Sequence, residues 1–236
     1  MPQTPMEPEG LARLLKEVAA EARETADYTG VSAFAPRVMQ ALAAVPRHEF
    51  VPAEERLSAY LDIPLPIGHG QTISQPYIVA LMTDLLQLAP DHKVLEVGAG
   101  SGYQAAVLSQ LAREVHTVEI VSALARACRD RLARLGYANV TVHAGDGAAG
   151  LEEEAPFDAV IVTAAAQRVP PALATQLKPG GRMAIPLGEA YGPQELVLFT
   201  KDARGEISAR PILPVRFVPL TGPGSGIKKV KLSEDS

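Results

Sequence analysis

Acidic side chains and a run of alternating glycines carry the first chemical signal in this chain. Val94 to Val97 is a short apolar run broken by Glu96, and Gly98, Gly100 and Gly102 follow at every second position. Such a run reads as a buried parallel strand, and glycines so spaced make a tight turn that brings backbone N–H groups close to a ligand. Ala105 to Leu111 reads as a helix. Strand, turn and helix form the first half of a nucleotide-binding βαβ unit, with the ligand at the strand's carboxyl end. A tight turn with no ligand fits the same residues. Spacing also selects the ligand: a dinucleotide turn is G-x-G-x-x-G, and here Tyr103 stands where its third glycine would fall, which disfavours a pyrophosphate.

Two further acids end the next strands. Glu119 closes the strand Val115 to Glu119, 17 residues after Gly102, and is placed to accept both ribose hydroxyls, with Ile120 counted to the same site. Asp146 follows the strand Val140 to His143 and can accept from an adenine amino group, with Gly147 allowing close backbone approach. Either acid alone is equally a solvated loop carboxylate. Their joint placement after strands two and three, beside a G-x-G-x-G turn, favours binding. Glu96, Gly98, Gly100 and Gly102 resemble the E/D-x-G-x-G-x-G segment of S-adenosylmethionine-dependent methyltransferases, whose cofactor has an amino acid end and no phosphate.

The elements that must position these groups follow from periodicity. Residues 1 to 8 hold three prolines and are expected to be loose; Leu11, Leu14, Leu15, Val18 and Ala22 then recur at helical spacing over about residues 9 to 25. Pro36 opens a second helix, Arg37 to Val45. Tyr60 to Pro76 lacks periodicity and reads as a long irregular segment carrying polar groups, a functional loop more often than not. A helix follows, with Ser74 as N-cap, Pro76 in the first turn and Pro90 as its stop. For Ser74 that capping role alone is a sufficient reading. Val121 to Leu135 is amphipathic, with Cys128 in its buried stripe and Gly136 as its cap. Phe157 to Thr163 is a fourth strand, a short helix after Pro170-Pro171 ends at Lys178-Pro179-Gly180-Gly181, and Arg182 to Leu187 is a fifth strand. The alternation β-α-β-α-β-α-β-α-β implies a doubly wound, mostly parallel sheet of the α/β class. Glu195 to Thr200 and Ile207 to Val218 add two strands, seven in all, and at least one of these two runs antiparallel. The expected organisation is N-terminal helices and loop over 1–76, a methyltransferase domain of the Rossmann-like type over 77–221 and a flexible tail over 222–236.

Composition excludes several classes. The 236 residues carry a net charge of -5 with Lys and Arg spread along the chain, a poor match to a phosphate backbone, so nucleic acid is not an expected partner. Base methylation lacks its signatures: the fourth strand ends Thr163-Ala164-Ala165-Ala166 without an Asp/Asn-Pro-Pro-aromatic run, and Cys128 follows Ala127 rather than a proline. No stretch is long and apolar enough for a membrane span or signal core. A single cysteine excludes an intrachain disulfide and makes a reduced, cytoplasmic setting the default. The five histidines show no metal-ligand spacing, and no metal is expected.

Longer motifs resemble one family, the protein-L-isoaspartate O-methyltransferases. The likeness is carried by Val45-Pro46-Arg47-His48-Glu49-Phe50-Val51-Pro52, by Leu65 to Tyr77 with its Gln71-Thr72-Ile73-Ser74-Gln75-Pro76 core, by Val94 to Gln104, Gly145-Asp146-Gly147, Phe157 to Ala165 and Val215 to Leu220. It implies S-adenosylmethionine as cofactor and, as acceptor, the free α-carboxylate of an L-isoaspartyl residue in a damaged protein or peptide. It further implies Ser74 as the active-site serine and Thr72 as a neighbouring donor. Gln71, Thr72, Ile73 and Ser74 then form a loop over the cofactor's sulfonium end, and the segment Val218 to Thr221 binds the acceptor peptide. Two other readings use the same glycine turn: a methyltransferase with another protein or small-molecule acceptor, and a binding module without catalysis. A monomer is the favoured state, with the oligomeric state left open.

Overall fold

Helix periodicity is realised at the N-terminus with shifted ends. The computed structural model describes residues 6–223, beginning with α1 (Met6–Glu24), α2 (Ala26–Thr29) and α3 (Pro36–Ala44). Helix α1 starts ahead of the expected residue 9, because Pro8 falls in the first turn, where its missing N–H has no intrahelical partner to lose. Pro36 takes the first position of α3.

The segment expected to be irregular contains a small hairpin, β1 (Leu65–Gly68) with β2 (Gln71–Ile73), antiparallel. Its pairs are few and its turn runs through Gly68, His69 and Gly70, all at positive φ, so neither strand has the length that reveals alternation. Helix α4 (Pro76–Leu85) follows, capped by Gln75 instead of Ser74. Proline holds its predecessor extended, so Pro76 makes Gln75 the boundary and leaves Ser74 outside the helix.

The main sheet comprises β3 (Lys93–Val97), β4 (Glu114–Glu119), β5 (Val140–Ala144), β6 (Phe157–Val162), β7 (Leu177–Gly188), β8 (Gln194–Lys201) and β9 (Ile207–Val215), with α5 (Tyr103–Ser109), α6 (Ser122–Leu135) and α7 (Pro171–Gln176) in the crossovers. Strand order is β5-β4-β3-β6-β7-β8-β9. The first five pair in parallel, and β8 is antiparallel to both β7 and β9, so β8 alone runs against the rest. This is the seven-stranded, mostly parallel α/β sheet expected. One crossover differs: β5 reaches β6 through 3-10 turns at Gly147–Ala149 and Glu152–Glu154, not through an α-helix. Gly145, Gly147, Gly150 and Pro156 leave that connection no uninterrupted helical run. Strand β7 also starts at Leu177, pairing with Phe157 before a register shift, where the Lys178-to-Gly181 stretch read as a helix end.

Alternation along the strands gives two cores. Val94, Val115, Ala159 and Ile161 face Leu14, Val18, Val38, Leu42, Leu81 and Leu108, so the N-terminal helices share a core with the sheet. Leu95, Val97, Val118, Val160 and Val162 face Leu173 and Leu220 on the other side. Winding reverses between β3 and β6, which leaves a crevice at the carboxyl end of β3. Among the described residues no helix is long and apolar enough to cross a membrane. The tail beyond residue 223 and residues 1–5, both expected to be loose, lie outside the described residues.

Candidate active site

The turn after β3 is built on positive φ, with Gly98 at 101°, Gly100 at 52° and Gly102 at 88°. Two of these glycines are required by close packing. A Cβ on Gly98 would stand 2.5 Å from Thr163 Oγ1, the hydroxyl that donates to Gly98 O at 2.7 Å. A Cβ on Gly102 would meet Cys128 Sγ at 2.8 Å, so this third glycine serves the seating of α5 on α6. Cys128 is core, as its place in the apolar stripe implied: it is fully buried, and burial pushes its thiol up to about 12.

Two acids hold opposite kinds of environment at this turn. Glu119 accepts from the Gly100 N–H through Oε2 and from the Val121 N–H through Oε1, both at 2.9 Å. One lone pair on each oxygen is then left for a ligand. Glu96 is wholly buried, and neither of its oxygens has a hydrogen-bond partner among the described residues. Burial raises its pKa to about 8; the Thr117 hydroxyl beside it on β4 offsets only part of this, and Glu119 adds like charge. A buried carboxyl without partners costs stability unless something else engages it.

The hairpin closes over these groups. Gln71, Thr72, Ile73 and Ser74 line a narrow cavity of about 50 Å³ together with Glu96, Gly98, Gly100, Glu119 and Val218. A wider cleft of about 410 Å³ adjoins it, lined by Glu21, Gln75, Tyr77, Arg216 and Phe217 among others. Thr72, Ser74, Thr163 and Val218 belong to both walls. Nine of the sequence-predicted site residues therefore meet in one place, and the Val218 segment is tied there by Ala165, whose N–H donates to Val218 O at 2.8 Å.

The other predicted residues lie outside that cavity. Gly102 caps α5 behind it. Asp146 caps the 3-10 turn after β5, accepting from Ala148 N–H at 3.0 Å, and comes together with Ile120 at Gly222. Gly147 makes its close approach to Val97: a Cβ there would sit 2.4 Å from Val97 Cγ1. Thr221 follows Leu220, whose N–H donates to Ala165 O at 2.7 Å, and lines neither cavity.

Sequence reasoning missed several lining groups. Thr163 carried a signal as the polar end of an apolar strand, and Tyr103 and Gln104 stood at the end of the glycine-turn stretch with no role given them, while Glu21 read as an ordinary helical residue. Arg47 is buried with Nε and Nη1 unpartnered, its guanidinium 4.9 Å over the Tyr103 ring. Away from the site, Glu114, His116 and Glu154 bring possible ligand atoms within 4.8 Å of one another, the first two from one face of β4 and the third from the 3-10 turn ahead of β6. Lys93 Nζ already pairs with Glu154 there at 3.1 Å, and His116 Nε2 meets Glu114 Oε1 at 2.9 Å.

Known proteins share this architecture. The family model for protein-L-isoaspartate(D-aspartate) O-methyltransferase matches residues 27–225. Protein-L-isoaspartate O-methyltransferase 2 of Syntrophobacter fumaroxidans is 57% identical over 211 residues, 89% of this chain and 85% of the relative. Its namesake in Polaromonas sp. is 59% identical over 209 residues, 89% of this chain and 99% of the relative. A solved protein-L-isoaspartate O-methyltransferase superposes with a TM-score of 0.79 at 29% identity, covering 91% of this chain and 67% of that one. A Plasmodium falciparum protein assigned the same activity, in complex with S-adenosyl-L-homocysteine, gives a TM-score of 0.72 at 26% identity, covering 89% and 97%. The match spans the glycine turn, the hairpin over it and the cleft between them, and by it this chain belongs to the protein-L-isoaspartate(D-aspartate) O-methyltransferase family.

Proposed function

We infer that this chain transfers the methyl group of S-adenosylmethionine to the free α-carboxylate of L-isoaspartyl residues in damaged proteins and peptides. The observation that carries the reading is the shared wall: Thr72, Ser74, Thr163 and Val218 stand between a glycine-turn cavity and a peptide-sized cleft. A donor bound on one side and an acceptor on the other would meet at those hydroxyls.

The residues present suit the cofactor. Glu119, fixed by two backbone N–H groups, has lone pairs for the ribose hydroxyls; the unpartnered Glu96 carboxyl lies at the base of the cavity for the amino acid end; Gly98 and Gly100 let backbone approach closely. Ile120 and Asp146, grouped beyond Glu119, are assigned to the adenine. Gln71 to Ser74 cover the reacting end. When bound, S-adenosylmethionine supplies an electrophilic methyl on a sulfonium leaving group.

What remains for the protein is positioning. An acceptor carboxylate of pKa about 4 is already ionised at pH 7, so no general base is required. Ser74, with Thr72, donates neutral hydrogen bonds that orient the carboxylate oxygen without the ground-state stabilisation that a full ion pair would add. Val218 and Thr221 are assigned to the peptide, supported by the tie of their segment to Ala165. The methyl ester then closes spontaneously to a succinimide with loss of methanol, and its hydrolysis returns part of the material to aspartate. A cytoplasmic setting belongs to the same reading, supported by the single, unbridged thiol, and a monomer is the state taken with it.

The test is transfer of labelled methyl to two synthetic peptides that differ only in isoaspartate or aspartate at one position. Base-labile label on the isoaspartyl peptide alone is the expected result. Label on neither, with S-adenosylmethionine binding intact, redirects the reading to another acceptor.

A further inference from the structure

We propose that Glu21 of α1, upstream of the residues matched by the family model, is a positioning residue of the acceptor site that holds the Ser74-bearing loop in place through Gln75. The proposal rests on the methyl-transfer reading above for what the cleft receives. An acid near the end of an amphipathic helix ordinarily faces water. Here α1 packs on α4, and the Glu21 side chain lines the cleft beside Ser74, Gln75 and Tyr77.

The contacts form a clamp on both sides of Pro76. Gln75 Nε2 donates to Glu21 Oε2 at 3.1 Å and lies 3.3 Å from Oε1. The Tyr77 N–H donates to Asp62 Oδ1 at 2.8 Å, and the Tyr77 hydroxyl shares a 2.6 Å hydrogen bond with Thr25 Oγ1. Thr25 Oγ1 also lies 2.8 Å from the Glu21 main-chain carbonyl, so these ties lead back to the end of α1. Ser74 is itself one residue outside α4, and its hydroxyl is directed only as well as this turn is held.

Protonation decides how firmly the clamp holds. Asp62 stands within hydrogen-bonding reach of the Glu21 carboxyl, and Glu24 adds like charge from the same helix end. The Tyr77 hydroxyl and Arg216 are the other ionisable groups on this wall. Two carboxyls so close are stable when they share a proton: the Glu21 O–H donates to Asp62 while its other oxygen accepts from Gln75. Burial first, then Asp62, raises Glu21 to about 7. The Gln75 N–H favours the ionised form, but burial and Asp62 outweigh it, so as pH rises through about 7 Glu21 ionises against the Asp62 carboxylate and their shared-proton tie is lost. The acceptor carboxylate is ionised throughout that range, so the effect belongs to the enzyme.

The experiment compares the full-length chain with Glu21→Ala and Glu21→Gln, using the isoaspartyl peptide from pH 6 to 8.5. Glu21→Ala is expected to lower kcat/KM for the acceptor by about 3- to 10-fold at pH 6.5, the effect of losing one such hydrogen bond, through a fall in kcat as Ser74 loses its direction, with S-adenosylmethionine Kd within about 2-fold. The wild-type kcat/KM falls above pH 7, whereas Glu21→Gln, which keeps a donor toward Asp62 and an acceptor toward Gln75, holds its kcat/KM across the range. Amide hydrogen exchange of residues 71–77, compared between variants at one pH, reads the clamp without turnover and is expected to speed up in Glu21→Ala at an unchanged Tm. A wild-type kcat/KM in Glu21→Ala, a wild-type pH profile in Glu21→Gln, or unaltered exchange overturns the proposal. If the wild-type chain fails to methylate the peptide, the functional reading falls and the exchange data alone decide the role of Glu21.

Discussion

The two ends of the parallel strands treat charge in opposite ways. At the amino ends three acids have a cationic or N–H partner close by: Asp158 takes the Lys93 N–H and the Lys178 ammonium, both at 2.8 Å, Glu154 takes Lys93 Nζ, and Glu114 meets the buried His116. Burial alone would raise Asp158, yet Lys178 and the Lys93 N–H outweigh it and hold that carboxyl low. At the carboxyl ends, among the described residues, no ion pair reaches Glu96 or Glu119; the first has no partner and the second only two backbone N–H groups. One end therefore spends its polar capacity within the protein. The other withholds it, at a cost in stability, where a ligand with hydroxyls and an ammonium can use it.

This contrast predicts that changes at the carboxyl ends alter binding or turnover, while changes at the amino ends alter stability alone. The largest effect is expected for Glu119→Ala, which should weaken S-adenosylmethionine binding by about 1.5 to 3 kcal/mol, the scale of hydrogen bonds to a charged group, measured by calorimetry. An unchanged Kd would remove Glu119 from the ribose. Next comes Ser74→Ala, expected to lower kcat on the isoaspartyl peptide by roughly 10- to 100-fold with Kd for the cofactor preserved. Equal loss of cofactor affinity would move Ser74 off the acceptor side.

Glu96→Gln separates the two ends by sign. A carboxyl raised in the folded state contributes stability below its unfolded value and loses it as pH rises toward about 8. The amide removes that loss, so the variant should be more stable than wild type by about 2 kcal/mol at pH 8 and near wild type at pH 4.5, while binding the cofactor more weakly. Thermal melts across that range check it, and a stability deficit at pH 8 would contradict the assignment. Asp158→Asn at the amino ends should have the smallest effect, about 0.5 to 1 kcal/mol. A depressed carboxyl gives its stability above the unfolded value and loses it as pH falls, so the variant and wild type should converge below pH 4, with cofactor Kd unchanged throughout.

Local signals were legible where a residue's role depends on its own backbone. The alternating Gly98, Gly100 and Gly102 after β3 mark a turn at positive φ, which glycine adopts without steric cost, and Glu119 stands at a strand end by counting. The hairpin at Leu65 to Ile73 was not legible, since seven paired or near-paired residues around Gly68-His69-Gly70 carry no period, and their pairing depends on closing over the turn. Ser74 carried two compatible readings, cap and donor; Pro76 removed the first by making Gln75 the boundary. Glu21 carried none, because an acid on a helix face says nothing of the element packed against it.

By itself the sequence determined the seven strands, the one α/β sheet, the glycine turn and the acids on the strand ends, because periodicity and backbone strain act within a few residues. Only the tertiary structure decided which of these groups meet. It set Glu96 without a partner, put Asp146 with Ile120 at Gly222, brought Glu154 from its 3-10 turn to Glu114 and His116 of β4, and laid α1 against the acceptor cleft. Such meetings depend on strand order and helix packing, which sum contacts from residues far apart in the chain, and no local run of residues encodes that sum.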